Sequence, residues 1–169
     1  MKRLTSSGFT LIEVLIVAAI LVILAGIAVP AFDLTVDDAR VTSASQELQR
    51  LRTGVDYYMF HHLEQAPGFD PGTASWTQDA FVNQLTTATD QSGDWAAVGT
   101  AGFPYGPYLT EGIPTNPFNG LLTVMVIAPG GSTAGLPNDA TGWVFIADGN
   151  LLRINSTEND TDGDPVWNL

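Results

Sequence analysis

Hydrophobic and polar residues divide this chain into parts with different patterns, and the first is the most apolar. The run FTLIEVLIVAAILVILAGIAV fills 21 residues, 9–29, and its only ionisable side chain is Glu13. At about 1.5 Å per helical residue the run reaches ~30 Å, the thickness of a bilayer's hydrocarbon core. Because Lys2 and Arg3 precede it, we expect residues 9–30 to cross a membrane with the N-terminus in the cytoplasm.

Beyond Pro30 the apolar positions are spaced by three and four, which predicts an amphipathic helix over residues 31–66. The predicted stripe consists of Val41, Ala44, Leu48, Leu51, Val55, Tyr58 and His62. We expect 9–66 to form one long helix, kinked where Pro30 removes a backbone hydrogen bond and loosened at Gly54. The stripe is interpreted as the face of a spine that packs against a globular head.

His61 and His62 lie near the predicted end of this helix. Adjacent helical residues point about 100° apart, so the two rings cannot easily share one metal ion. We interpret them as a surface pair, favoured by the negative end of the helix dipole.

The remaining residues predict a mixed head. Prolines and glycines make 67–120 a loop region, with one short helix at about 77–88 after Thr77. Residues 121–169 carry β-rich segments at 121–128, 143–147 and 150–155, followed by an acidic C-terminal tail. Loops of this length are either functional or held in place by aromatic packing. The candidates for such packing are Trp76, Trp95, Phe103, Tyr105 and Tyr108. The predicted fold class is α+β, with the long N-terminal helix packed on a small antiparallel sheet.

Two ordinary explanations compete for the apolar run. A secretory signal peptide has a shorter apolar region followed by a small-x-small cleavage site, which Ala25, Ala28 and Ala31 imitate. A plain single-span anchor is the stronger competitor. Glu13 argues against it, because a carboxylate inside a membrane is costly and such residues usually have a partner.

The residues around Glu13 resemble the class III signal of type IV pilins and type II secretion pseudopilins. A short basic leader, residues 1–8, ends in Gly8, Phe9 follows, and Glu13 stands at the fifth position after that junction. Pro30 fits the helix-kinking proline of many family members. The phrases GPYLTEGIPTNPFNG and GWVFIADGNLLRIN are similar to the loop and hairpin of major pseudopilins. The resemblance therefore covers most of the chain and implies the pilin fold.

The resemblance implies a mechanism of processing and assembly. A prepilin peptidase would cut between Gly8 and Phe9 and methylate the new amine of Phe9. Glu13 of one subunit would then neutralise the N-terminal ammonium of its neighbour, since two charges that are costly to bury alone become tolerable as a pair.

The resemblance also implies partners and a location. The partners would be other pseudopilins or pilins in a homo-oligomeric filament, membrane lipid, the prepilin peptidase, and an inner-membrane assembly platform with its ATPase. The protein would cross the bacterial inner membrane once, with a periplasmic head, and its filament would lie in the periplasm or at the cell surface. The favoured function is a structural subunit of a type II secretion pseudopilus that drives protein export. The alternative is a major or minor type IV pilin that serves adhesion, motility or DNA uptake.

The net charge of the chain limits the kinds of partner that it can bind. The chain has 18 acidic and six basic residues, a net charge of −12. Loss of residues 1–8 removes Lys2 and Arg3 and leaves four basic residues against 18 acidic ones, a net charge of −14. Such a body repels nucleic-acid phosphates, so no nucleic acid is expected as a partner.

The acidic tail at 158–164 is a candidate calcium site, in which Asp160, Asp162 and Asp164 would supply oxygen ligands to Ca²⁺. Its alternative is a solvated acidic tail. The chain contains no cysteine. In the resembled family many type IV pilins close this region with a disulfide, whereas major pseudopilins are often stapled by calcium.

No catalytic constellation is apparent, and no catalytic residue is predicted. The chain has no nucleophile elbow, no Gly-rich phosphate loop and no HExxH motif. The opposing interpretations are a membrane-anchored hydrolase that uses paired carboxylates and an anchored adhesin or ligand-binding head. We therefore expect a structural protein rather than an enzyme.

Overall fold

The computed structural model describes residues 9–169, without the side chains of residues 26–35. One unit of the chain ends at Asp38 and the other comprises Ala39–Leu169. The helix α1, Leu11–His61, has 51 residues and contributes to both. It confirms the predicted long N-terminal helix. It is helical through Pro30 without interruption, and the bend expected there stays a prediction.

The first unit exposes its apolar residues. Every described side chain from Phe9 to Ala25 is exposed, including large ones such as Leu11 at 80% and Val22 at 72%. Among the described residues, none of the helices combines the length and the apolar character needed to cross a membrane. The membrane-spanning segment expected at 9–30 stays a prediction.

The second unit is built on the predicted stripe of α1. The stripe residues Ala44, Leu48, Leu51, Val55 and Tyr58 are each at most 2% exposed. They pack in one hydrophobic cluster with residues of the head, among them Phe81, Leu85, Trp143, Phe145 and Ile154. Burying a Leu or Val side chain stabilises a fold by roughly 1.5–3 kcal/mol, so the stripe fixes the part of α1 within this unit to the head.

Gly54 has a different role from the one predicted. It is buried in the uninterrupted helix, and a Cβ atom added there would lie 2.9 Å from Leu109 Cδ2. The missing side chain therefore lets Leu109 approach the helix closely, and the expected loosening of α1 at this position is wrong.

Short elements follow α1. The strands β1, Phe69–Asp70, and β2, Ser75–Trp76, pair antiparallel, and so do β3, Ala88–Thr89, and β4, Trp95–Ala96. The helix α2, Gln78–Thr86, lies between the two pairs and confirms the predicted short helix. Thr77 caps it, because its Oγ1 accepts a hydrogen bond from the Ala80 N–H at 3.0 Å.

The main sheet has three strands in the order β5, Val124–Ile127, β6, Trp143–Ile146, and β7, Leu151–Ile154. The β6–β7 pair is antiparallel, and Asp148-Gly149 between the two strands is a turn sequence that predicts such a hairpin. However, β5 runs parallel to β6, so the expectation of a wholly antiparallel sheet is wrong. A parallel pair needs a connection of a dozen or more residues, which the long loop 128–142 supplies. A 3₁₀-helix, Val166–Asn168, ends the described chain.

Three asparagines tie the loop 114–120 to this sheet. Asn116 is fully buried, and its Nδ2 donates to the Gly142 carbonyl at 2.7 Å. Asn119 Nδ2 donates to the carbonyls of Thr141 and Asn155, at 2.9 Å each. Asn155 is itself fully buried and held by its own side-chain hydrogen bonds. Asn155 is therefore part of the interior.

Among these hydrogen-bonded residues, Gly142 is the position where a side chain is least tolerable. A Cβ atom there would lie 2.1 Å from the Leu121 carbonyl oxygen, and backbone cannot move aside cheaply. We expect Gly142→Ala to lower the free energy of unfolding by about 1–3 kcal/mol, measured by urea unfolding of the full chain in detergent. Gly72→Ala is the control, since Gly72 is exposed and its nearest atom would be Asp70 Oδ1 at 3.3 Å. Equal stabilities of the two variants would contradict the packing described.

Candidate functional site

Thr10 and Glu13 form a closed pair of hydrogen bonds at the start of α1. Glu13 Oε2 accepts hydrogen bonds from the Thr10 N–H and from the Thr10 hydroxyl, at 2.8 Å each. The Glu13 N–H donates to Thr10 Oγ1 at 3.3 Å. Thr10 directly precedes the first helical residue, Leu11, so the pair is a capping box, in which each side chain satisfies the other residue's free N–H. The carboxylate also lies at the positive end of the helix dipole.

The role of Thr10 was missed from the sequence, although a signal for it was present. A Thr followed three residues later by Glu, just before an apolar run, marks a helix N-terminus. The sequence prediction concerned only the role of Glu13 between subunits. In the single chain the Glu13 carboxylate is held next to Phe9, the residue that the predicted cleavage would make N-terminal.

The structure describes only some of the other residues predicted to act in processing and assembly. Gly8 lies outside the described residues, and so does the side chain of Pro30. Phe9 is 88% exposed. The cut between Gly8 and Phe9, the methylation of Phe9 and the pairing of Glu13 with a neighbour therefore stay predictions at this point.

The acidic tail forms a loop that is closed by its own hydrogen bonds. Asp160 Oδ1 accepts from the backbone N–H groups of Asp162, at 3.0 Å, and Asp164, at 2.8 Å. The Asp160 N–H donates to the Asp164 carbonyl at 2.8 Å, and the Gly163 N–H donates to the Asp160 carbonyl at 3.1 Å. Gly163 has a φ of 88°, which glycine adopts at little cost.

The same loop occurs a second time in the chain, between β3 and β4. Asp90 Oδ1 accepts from the backbone N–H groups of Ser92, at 2.9 Å, and Asp94, at 3.1 Å. The Asp90 N–H donates to the Asp94 carbonyl at 3.0 Å, and Gly93 has a φ of 90°. Both loops share the spacing Asp-x-x-Gly-Asp, so this spacing serves to close a five-residue turn.

This arrangement bears on the calcium hypothesis. Within the described residues, no group of three or more His, Asp or Glu side chains is arranged to hold a metal ion. As placed, Asp160 Oδ1 is engaged with the loop's own backbone. Calcium binding by the tail stays a prediction.

The two histidines are not the surface pair predicted. His62 is fully buried and stacks on Tyr58, with ring centroids 3.8 Å apart. His61 is half-buried, stacks on Tyr105 at 5.0 Å, and lies with its Nδ1 3.1 Å from the Tyr108 hydroxyl. The spacing of three and four had already placed His62 on the apolar stripe, and that signal was the better guide to its burial.

Comparison with known proteins also draws attention to the start of α1. The family described as "Prokaryotic N-terminal methylation motif" matches residues 3–29. A type II secretion system core protein G from Pseudomonas aeruginosa is 31% identical over 97 residues, which cover 50% of this chain and 68% of that protein. The chain belongs to the core protein G family. The resemblance drawn from Gly8, Phe9 and Glu13 is thereby confirmed.

A second relative matches a shorter region of the present chain. A type IV major alpha-pilin from Moraxella bovis is 47% identical over 53 residues, which cover 31% of this chain and 33% of that pilin. The chain thus matches only about a third of the length of that relative. No solved structure matches the chain.

The capping box makes a prediction that can be tested on the isolated chain. Thr10→Ala removes both contacts of the Thr10 hydroxyl, and the loss of such a cap costs about 1 kcal/mol. We expect faster amide hydrogen exchange at residues 11–14 in the detergent-solubilised full chain, measured by NMR. Thr10→Ser keeps the hydroxyl and should retain the wild-type rates. Unchanged exchange in Thr10→Ala would show that the box does not stabilise the helix start.

Proposed function

We propose that the protein is the structural subunit of a type II secretion pseudopilus, assembled into a helical filament that drives protein export. The observation that carries this proposal is the position of the methylation motif. The motif covers residues 3–29, and its described side chains from Phe9 to Ala25 are exposed and almost all apolar. An apolar helix of this kind is stable only when lipid or other protein covers it.

Membrane lipid and neighbouring copies would cover the helix in succession. The precursor inserts residues 9–30 into the inner membrane, with residues 1–8 on the cytoplasmic side and the head in the periplasm. Assembly then transfers the same surface from lipid to the apolar helices of other subunits. The prepilin peptidase, the inner-membrane platform and its ATPase are the partners in these steps. In this account α1 and the head together adopt the pilin fold.

Cleavage after Gly8 would create the partner that Glu13 needs. The new ammonium of Phe9 is a cation, and Glu13 is the only ionisable residue in the run 9–29. In the single chain the Glu13 carboxylate accepts its hydrogen bonds from Thr10. During assembly it pairs with the ammonium of a neighbouring copy, because neither charge is tolerable alone in an apolar filament core. The capping box keeps the carboxylate in place until that partner arrives.

The relatives named above are described as a core protein of a secretion system and as a pilin. We propose accordingly that the present chain is a structural protein and not an enzyme.

The processing step gives the most accessible test. We expect the mature chain to begin at Phe9 and to carry a methyl group on its amine, measured by intact-mass and N-terminal peptide analysis of membrane-extracted protein. Gly8→Val is the matched variant, because a side chain at this position should block a tight peptidase site, and it should leave the precursor uncut. A wild-type chain that still starts at Met1, or one that is cut near Ala31, would overturn the proposal.

A type IV pilus subunit is the second candidate, and one observation favours it. The Moraxella bovis pilin is the more similar of the two relatives over the region that it shares, at 47% identity. Export of protein in a secretion strain that lacks its own core protein G distinguishes the two. Restored export by this chain supports the pseudopilus, whereas surface pili without export support the pilus.

A further inference from the structure

The end of α1 carries an aromatic cluster that the assembly mechanism does not use. It consists of Tyr58, His61, His62, Tyr105 and Tyr108. The rings of His62 and Tyr58 are nearly parallel, at 8°, whereas those of Tyr105 and Tyr108 meet His62 edge-on at 5.5 and 6.2 Å. The segment 103–108 thus lies against two consecutive histidines at the end of the helix.

His62 occupies this cluster in a way that suits its neutral form. Its Nδ1–H donates to the Tyr58 carbonyl at 2.7 Å, and none of its surface is exposed. Its Nε2 is buried and has no hydrogen-bond partner among the described residues. A proton on Nε2 would therefore bring a charge into a buried aromatic enclosure, which is costly.

The same cluster attaches the segment 103–108 to the rest of the head. His61 Nδ1 lies 3.1 Å from the Tyr108 hydroxyl, and its ring stacks on Tyr105. On the other side, Thr89 and Tyr105 exchange two backbone hydrogen bonds, of 2.9 and 3.1 Å. The Tyr108 N–H also donates to the Leu85 carbonyl at 2.9 Å. The histidines are thus one of several attachments of this segment.

We propose that His61 and His62 form an acid-sensitive latch, which holds residues 103–108 on the end of α1 while His62 is neutral and releases them when it is protonated. The latch lies wholly within the unit Ala39–Leu169 and does not depend on the proposed filament.

The charges around His62 decide the direction of the effect. The titratable groups that face it are Tyr58, His61, Asp90, Tyr105 and Tyr108. Burial lowers the pKa of His62, and the neighbouring His61 acts in the same direction. The backbone groups of Tyr58 and Asp90 and the Asp90 carboxylate oppose the shift without cancelling it. The Asp90 backbone raises the pKa of His62 although, as placed, it does not form a hydrogen bond with Nε2.

A lowered pKa fixes the pH range of the latch. An unfolded or detached His62 has a pKa of about 6.5, and the attached one takes up its proton at a lower pH. The stabilisation is therefore complete above about pH 6.5 and is lost as the pH falls from there towards the lower pKa of the attached state. Once the pH is below the pKa of both states, each pKa unit by which the attached state lies below the detached one weakens the attached state about tenfold.

Amide hydrogen exchange reports the release of this segment directly. We expect the protection factors of the Thr89 and Tyr105 amides to fall, relative to those of β6, between about pH 7.5 and about pH 5, the range over which histidine titrates. The sample is the full chain in detergent, and the amides of β6 serve as the internal reference. An equal fall at β6, or no fall at Thr89 and Tyr105, would overturn the latch.

A variant separates His62 from other titrating groups. His62→Phe keeps the stacked ring but cannot be protonated, so the protection of Thr89 and Tyr105 should become independent of pH over this range. The same dependence as in the wild type would contradict the proposal. Should that variant not fold, an NMR titration of the wild-type His62 ring decides the matter. A pKa below 6.5 supports the latch, and one at or above about 6.5 overturns it.

Discussion

The exposed apolar surface of residues 9–25 is the constraint on which the rest of this protein's behaviour depends. Each of its large side chains would gain roughly 1.5–3 kcal/mol on full burial, and in a single chain at least half of each such side chain's surface is exposed. Water is therefore a poor environment for the isolated protein. Lipid and other copies of the same helix are the two environments that satisfy this surface, and the proposed function uses both in turn.

In the proposed filament, Glu13 would give this surface its specificity. Apolar burial is non-directional, so it cannot by itself fix how far one helix slides along another. A single charge in a long apolar run sets a register, because it tolerates only positions where a partner is available. The capping box with Thr10 satisfies the carboxylate in the single chain, and the ammonium of a neighbour's Phe9 is the proposed partner in the filament.

Within the unit Ala39–Leu169, the buried stripe fixes the later part of α1 to the head. The stripe could be predicted from the sequence because spacings of three and four report one helical face directly. The α2 helix and the β6–β7 hairpin were predictable for similar reasons, from Thr77 as a cap and from Asp148-Gly149 as a turn. His62 shows how a residue type can mislead, since its position on the stripe predicted burial better than its polarity did.

Other features depend on contacts between distant residues, which no local pattern records. The two-residue strands are too short to show alternation, and the parallel pairing of β5 with β6 joins segments separated by a long loop. The space that Gly54 leaves for Leu109 and the hydrogen bonds of Asn116 and Asn155 arise in the same way. The two Asp-x-x-Gly-Asp loops are a local signal, but acidic residues in alternation also suggested a cation site.

The pairing of Glu13 with a neighbouring chain is the central claim, and a zero-length cross-link tests it directly. Filaments assembled from equal amounts of heavy-nitrogen-labelled and unlabelled chains would be treated with a carbodiimide and analysed by mass spectrometry. Our account predicts Glu13–Phe9 cross-linked peptides that join a labelled to an unlabelled chain and that disappear in Glu13→Gln. Intact filaments whose Glu13 cross-links join only residues of the same chain, or that give no such cross-link, would contradict it.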